Sequence, residues 1–559
     1  MKTNMPIGID DFAEVRENYY FVDKTPFLGA FLKGHAKVTL FTRPRRFGKT
    51  LTLSMLRYFL DIEHADENRK LFDGLAITQD AEAMALQGTR PVLFLTLKGW
   101  KARRWDEMQA VIRDALGQIF DRHRDLCNDA DVTPRDRETF EAIEMGRADL
   151  VTCRSALAFL LRLMEQHDGK KPVLLLDEYD VPIQSAWEHG YYDEAIDFFR
   201  EFFSAALKTN PSLDFAVLTG VLRIAKESIF SSLNNLEVDS VLHLQYPEAF
   251  GFTTEEVTKI ARDFGKEDKL PELRKWYDGY RFAGQEIYNP WSVINYFRND
   301  CEARAYWVNT SGNAILGEML RHAKPSTLDE ITGVLQGKAV TADADEGFIY
   351  NEIYRNKDAL YTMLATTGYL TTERVEENDL GLTASLIIPN HEIRVLFRRE
   401  VVRRYRSDDM NIELKALMHA FVTGDIDTIR EGLAEYLELL TSSFDAAKGR
   451  ESFYHGFTLG LVAVLMSDYD IRSNRESGYG RYDIAAFPKK QGVPGIVIEC
   501  KTAESEDALA EKAQEALAQI EEKDYLAEFR ARGVQEMHRY GIAFCGKHVR
   551  VDWKQEHGA

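Results

Sequence analysis

KVTLFTRPRRFGKTLTLSML, Lys37 to Leu56, is the stretch on which the fold turns. It opens on a short apolar run, Val38 to Phe41, and passes through a polar loop, Thr42 to Phe47. Gly48, Lys49 and Thr50 follow, then Leu51, Leu53, Met55 and Leu56 in an apolar-periodic segment. Strand, tight loop, helix start is the layout of a phosphate-binding loop. Free backbone N–H groups at a helix N-terminus face an anion, and the helix dipole adds positive potential. Gly48 lets the backbone come close to the phosphates. Lys49 is expected to reach the β- and γ-phosphates as a point charge, and Thr50 to put its hydroxyl on Mg²⁺.

Arg43 stands where the usual G-x-x-x-x-G-K-[ST] pattern has its first glycine. The first turn must be made another way, and Pro44 is expected to rigidify it. The Arg43 side chain is expected to meet a phosphate or a neighbouring subunit. The candidate nucleotide-binding segment is thus Arg43, Pro44, Arg45, Arg46, Phe47, Gly48, Lys49 and Thr50. Taken alone, RPRRFGKT also reads as a basic strand-to-helix connection with no ligand, so a second motif has to decide.

That motif is PVLLLDEYD, Pro172 to Asp180. The apolar run Val173 to Leu176 reads as a strand buried on both faces. Asp177 and Glu178 end it, where open α/β sheets place ligand chemistry. Asp177 is the candidate Mg²⁺ holder, mainly through water. Glu178 is the candidate base that orients and deprotonates an attacking water. ATP and Mg²⁺ are the ligands these two motifs predict.

With 559 residues the chain should hold several domains, and 45% hydrophobic content supports real cores. A net charge of −20 argues against coating nucleic acid or an anionic membrane wholesale, while leaving room for a local basic groove. The cysteines, Cys127, Cys153, Cys301, Cys500 and Cys545, are scattered without a C-x-x-C pair, which suits a reducing compartment and argues against zinc. The start, MKTNMPIGIDDF, lacks the apolar core of a signal peptide, and no run is long enough to span a bilayer. The expectation is a cytoplasmic protein with no membrane partner.

In chain order, an amphipathic helix from about Thr25 leads into the loop strand, suited equally to covering a nucleotide base and to plain packing. Val92 to Leu97 and Phe215 to Thr219 read as strands. Asp106 to Arg124, Arg154 to His167 and Tyr192 to Lys208 read as helices. The last carries a core stripe of Phe198, Phe199, Phe202 and Phe203. Thr219 and Arg223 are candidates to sense the terminal phosphate, a structural ion pair being the equal reading of Arg223. WYDGYRF, Trp276 to Phe282, reads as an aromatic turn that packs rather than stacks on bases. Ile393 to Arg406 carries two arginine stripes, Arg394 with Arg398, and Arg399, Arg403 and Arg406. A solvated, acid-paired helix is the first reading of it, and tracking of a phosphate backbone the second.

RPRRFGKTLTLSML, LLLDEYD, LTGVLRIAKESIFSSLNN and KWYDGYRF, with YNPWSVINYF and YWVNTSGN, resemble the bacterial AAA-ATPase-like family found fused to a PD-(D/E)XK nuclease-like domain. The resemblance implies an additional-strand P-loop fold, with Lys49 and Thr50 as phosphate and Mg²⁺ ligands. It also implies Asp177 and Glu178 as the second motif and an arginine at position 43 as normal.

The last module begins near Asn411. Glu413 to Leu440 read as two helices joined at Gly424, and Glu451 starts an apolar helix. Asp483 lies on an alternating strand, and GIVIECK puts Glu499 and Lys501 on either side of Cys500. Residues two apart on a strand share a face, and a charged face on an otherwise apolar strand demands a function. Asp483, on the preceding strand, can lie beside Glu499. Two carboxylates and a backbone carbonyl make a hard oxygen site for Mg²⁺. Lys501 can then orient and help deprotonate a water. RESGYGRYD and IVIECK look like the PD-(D/E)XK nuclease superfamily, with Asp483, Glu499 and Lys501 at its catalytic positions and Tyr482 where the superfamily has proline. Glu451, His455 and Gln519 are further candidates.

The expected architecture is α/β. It comprises a P-loop NTPase domain over 1–245, a helical lid and linker over 246–400, and a restriction-endonuclease-like α/β domain over 401–559. The expected function is ATP hydrolysis coupled to a Mg²⁺-dependent nuclease acting on nucleic acid, DNA first, with a homo-oligomer allowed. The alternative is a regulatory NTPase switch whose C-terminal domain binds nucleic acid or a partner without cutting.

Overall fold

Val38–Thr42, the apolar run ahead of the phosphate loop, forms β1 and is buried along its whole length. In the computed structural model it pairs in parallel with β4 (Ala216–Gly220) on one side and β5 (Leu236–Asp239) on the other. β3 (Val173–Asp177) lies beyond β4, and β2 (Val92–Thr96) closes the sheet, giving the order β2-β3-β4-β1-β5. The strands carrying the two motifs are therefore not neighbours, because the additional strand β4 stands between them. β3 and β4 are also buried at every position, as Val- and Leu-rich runs of a parallel sheet must be. All five strands run the same way, so the phosphate loop and Asp177 lie along one sheet edge.

The structure describes residues 4–224, 235–242, 245–282, 284–307, 330–331, 333–335, 337–344, 356–379, 381–404, 410–441, 454, 458, 462, 469–477, 480–546 and 548–557. Outside them fall Glu451, His455 and Arg406, residues 225–234, residues 310–313, and the side chains of Arg398, Arg399 and Arg403.

The chain forms two compact units, one of Met1–Thr310 with Thr341–Ile393, the other of Ser311–Val340 with Arg394–Ala559. In the first, the helix Lys49–Leu60 starts directly after Gly48, whose φ of 90° is the left-handed conformation that glycine adopts without a Cβ penalty. Helices Trp105–Arg122, Ala156–Asp168, Val181–His189 and Tyr192–Leu207 accompany the sheet. Phe198, Phe199, Phe202 and Phe203 are all fully buried, as the stripe predicts.

Farther along the same unit, Thr253 and Glu256 form a capping box that starts the helix Thr254–Asp263. With Leu270–Tyr277 and Pro290–Arg298 it encloses a small core of Val257, Ile260, Leu273, Tyr277 and Val293. A three-stranded sheet lies beside them, in the order β6 (Phe252–Thr253), β8 (Gln285–Tyr288), β7 (Tyr280–Phe282). The Trp276–Phe282 stretch is thus a helix end running into a strand rather than a turn, and Tyr277 and Tyr280 are wholly buried. A further sheet holds β9 (Val340–Asp343), β10 (Thr371–Asn378) and β11 (Gly381–Ile387) in the order β10-β11-β9.

The second unit is built on β12 (Tyr469–Ser477), β13 (Gly480–Pro488), β14 (Gly495–Thr502), β15 (Glu536–Cys545) and β16 (His548–His557), paired in chain order. Only β14 and β15 run parallel. The helix Leu509–Glu522 crosses close over β15. A Cβ at Gly541 would stand 2.2 Å from the Ala513 carbonyl, so glycine there sets the approach. Helices Met410–Thr423 and Ile426–Thr441 pack Phe421, Ile429 and Leu433 into a core with Tyr540 and Ile542. Arg394 is half-buried and donates to the Leu335 carbonyl at 2.7 Å. No helix among the described residues is long and apolar enough to cross a membrane. None of the five cysteines is in a disulfide.

Candidate active sites

Asp177, fully buried at the end of β3, gathers three hydroxyls. Thr50 Oγ1 donates to its Oδ2 at 2.9 Å, and Thr96 Oγ1 to the same oxygen at 3.3 Å. Thr219 Oγ1 donates to Oδ1 at 2.6 Å. Thr50 comes from the first turn after the phosphate loop, Thr96 from the end of β2 in register with Asp177, and Thr219 from β4. The Thr219 hydroxyl is committed to Asp177 and also faces the Glu178 N–H at 3.4 Å, so it positions the carboxylates rather than reaching outward.

Lys49 Nζ lies on the carbonyls of Arg43 (2.9 Å) and Pro44 (3.0 Å). Burial lowers its pKa to about 8, against the pull of Glu178, Asp180 and Asp177. Glu178 follows β3 with φ of 53°, a conformation that side chains rarely adopt. Its carboxyl is pushed above the ordinary range by burial first and Asp177 second, while Lys49 pulls it back. The segment leaving β4 is pinned to the same corner. Asp180 Oδ2 accepts from the Val221 and Leu222 amides (2.9 and 3.0 Å), and Tyr179 Oη donates to the Leu222 carbonyl at 2.6 Å. Gly220 leaves room for the Tyr179 ring, which would stand 2.6 Å from a Cβ. Arg223 lies half-buried on this pinned segment, its Nε without a hydrogen-bond partner among the described residues.

The Arg43 side chain does not point at a phosphate or a neighbouring subunit. Its guanidinium is completely buried, paired with the Asp239 carboxylate at the end of β5. It also donates to the carbonyls of Asp239 (2.8 Å) and Thr42 (2.9 Å) and lies 4.9 Å from the Phe250 ring centre. The loop is held from the far side by later segments of the same unit. Arg45 O accepts from the Trp307 indole at 3.2 Å, and the Arg46 guanidinium lies 4.2 Å over Trp291. Phe47 packs edge-on to Tyr280 at 5.0 Å, and Pro44 fills the space that a side chain at Gly368 would need. The aromatic WYDGYRF segment therefore packs against the loop. The left-handed positions are Arg46 and Gly48, so position 43 has no need of glycine.

In the second unit the β13–β14 ladder pairs Ile484 with Ile498, and just past that rung two side chains take over from the backbone. The Asp483 amide donates to Glu499 Oε2 at 3.2 Å, and the Cys500 amide donates to Asp483 Oδ2 at 2.8 Å. Lys501 Nζ stands 3.8 Å from Glu499 Oε1. Cys500 points to the opposite face, where its Sγ lies 3.8 Å from Thr458 Oγ1. The helix residue Gln519 donates to Glu499 Oε1 and lies 3.1 Å from the Tyr525 hydroxyl. Glu499 is only 2% exposed. Asp483, Glu499, Lys501 and Gln519 are thus brought together, with Tyr525 added. The oxygen donors suit a hard divalent cation. Asp483 and Glu499 are the carboxylates that the described residues offer it, and no cluster of three or more His, Cys, Asp or Glu that could hold a metal occurs among those residues.

Residues 6–230 match the family model described as "Predicted AAA-ATPase", and residues 449–554 match that of the PD-(D/E)XK nuclease superfamily. The chain is also 26% identical over 557 residues to a protein of Azotobacter chroococcum mcd 1 described as "Uncharacterized protein in vnfD 5'region", spanning 97% of this chain and 96% of that one.

Proposed function

From a chain that joins an AAA-ATPase-like domain to a PD-(D/E)XK nuclease superfamily domain, we infer an ATP-hydrolysing enzyme that cuts nucleic acid, DNA first, under control of its nucleotide state. The observation that carries this reading is the convergence on Asp177 of hydroxyls from the phosphate loop and both flanking strands. That arrangement ties the loop to the end of β3, as ATP chemistry requires.

Lys49 neutralises the phosphates, and the loop amides ahead of Thr50 bind them. Glu178, with its raised pKa, takes the proton of the attacking water on its carboxylate. Thr50 and Asp177 are the residues to hold Mg²⁺, whose contribution is to offset charge on the phosphates. In the second unit Asp483 and Glu499 would hold a divalent ion that offsets charge on the scissile phosphodiester. Lys501 orients the water there, and Gln519 fixes the Glu499 rotamer.

The test is full-length protein incubated with plasmid, linear and single-stranded DNA, and RNA, with and without Mg²⁺ and ATP. Mg²⁺-dependent cutting whose rate responds to ATP supports the reading. ATP turnover and nucleic-acid binding with no cutting under any condition would favour a switch that does not cleave. Both Glu499 oxygens already accept protein donors, which is the observation on that side.

A further inference from the structure

The loop after β2, Lys98 to Arg104, carries Lys98, Lys101, Arg103 and Arg104 in a chain of net charge −20. Lys98 pairs with Asp10 (3.6 Å) and Arg104 with Asp106 (3.0 Å). Lys101 and Arg103 are exposed, and neither has an acidic partner among the described residues. Between this loop and the helix Val181–His189 lies a cavity of about 460 Å³, a size that suits a small ligand. Arg45 of the phosphate loop reaches its wall and donates to Gln184 Oε1 at 3.0 Å.

Two carboxylates share the lining. Glu107 accepts from the Arg103 amide at 3.1 Å, and Glu188 from Gln184 Nε2 at 2.7 Å. Glu107 also pairs with Arg104 at 3.4 Å, and both carboxylates keep lone pairs that can accept from the amino group of a base. Two exposed cations beside such acceptors suit a ligand that is anionic at one end and a donor at the other.

We propose that this cavity takes a phosphate ester of a nucleic-acid strand, one or two nucleotides long, with Lys101 and Arg103 on the phosphate. Gln184 reports its presence to the phosphate loop through Arg45. The proposal rests on the reading of the chain as an ATPase that acts on nucleic acid, and it names the contact by which substrate reaches the ATP site. Salt should weaken binding, since each phosphate contact releases counterions.

The test uses full-length protein and two probes, 5′-phosphorylated d(CpC) and r(CpC), each carrying a photoreactive 5-iodo base, because cytosine presents an amino group to the carboxylates. Photocrosslinks should map by mass spectrometry to residues 98–107 or 181–189, and the stronger probe identifies DNA or RNA as the source. Calorimetric affinity should fall at least tenfold in Lys101→Glu/Arg103→Glu and stay within about twofold in Lys101→Arg/Arg103→Lys, with basal ATP turnover unchanged in both. Crosslinks elsewhere only, or equal affinity after charge reversal, would overturn the site while leaving ATP hydrolysis and cutting standing. Correct crosslinks in a protein that neither hydrolyses ATP nor cuts would overturn the proposed function and keep the site.

Discussion

Arg43 and Asp239 form a buried ion pair 196 residues apart in sequence, joining the start of the phosphate loop to the end of β5. Asp239 Oδ2 also accepts the amides of Gln245 and Tyr246 (2.9 and 3.0 Å), so one carboxylate organises three chain segments. Removing one partner strands a buried charge. Arg43→Gly should therefore cost about 3–5 kcal/mol in denaturant unfolding rather than tighten nucleotide binding. Arg43→Met/Asp239→Leu should lose less than the sum of the single changes. Additive losses, or tighter binding of a fluorescent ATP analogue by Arg43→Gly, would refute the role given to the pair.

At the ATP site, Lys49→Ala should abolish hydrolysis, because the β- and γ-phosphates lose their cation. Glu178→Gln should bind ATP and turn it over on the order of a hundredfold more slowly or worse. Wild-type turnover in Glu178→Gln would remove Glu178 from the base position.

Lys49 also sets a pH signature. Its folded-state pKa of about 8 lies below its ordinary value of 10.5, so the unfolded chain binds more protons between those limits and stability rises with pH there. Relative to Lys49→Met, the wild type should gain about 2 kcal/mol between pH 7.5 and pH 10. ATP affinity should move the other way and weaken above pH 8, as the free loop loses its ammonium. Parallel pH-independent unfolding curves for the two proteins would contradict the burial cost.

In the second unit, Asp483→Ala or Glu499→Ala should end Mg²⁺-dependent cutting and spare ATP hydrolysis. Lys501→Ala should slow cutting yet keep Mg²⁺ binding, since an ammonium cannot be a ligand. Calorimetric Mg²⁺ titration beside a plasmid-nicking assay separates the two. Cutting that persists in both carboxylate variants would place the activity elsewhere.

Lys49, Thr50, Asp177 and Glu178 were legible because a loop-to-helix junction and a strand end are written within a dozen residues. Glu499 and Lys501 were legible from alternation, since Cys500 between them turns to the other face. Thr96 and Tyr525 were not. Thr96 meets Asp177 through the β2–β3 register, and Tyr525 meets the second site through Gln519 from beyond the end of its helix. Arg43 read as a ligand because a loop arginine looks free until its buried acid is known, and that acid is far along the chain. WYDGYRF read as a turn rich in aromatics, whereas the chain passes from a helix end through Gly279, at φ of 107°, into β7.

The order β2-β3-β4-β1-β5 has a consequence for how the protein is made. β1 leaves the ribosome early, yet both its neighbours, β4 and β5, lie in the third hundred residues. At about 5–20 residues per second, the phosphate loop waits roughly ten to forty seconds for its walls. Loop-closure entropy sets in before any β1 pairing forms. The β12–β16 sheet pairs strands in chain order and can close as each emerges. Among the strands of the first sheet, VTLFT therefore stays unpaired longest, and of those strands β1 depends most on chaperone cover during synthesis.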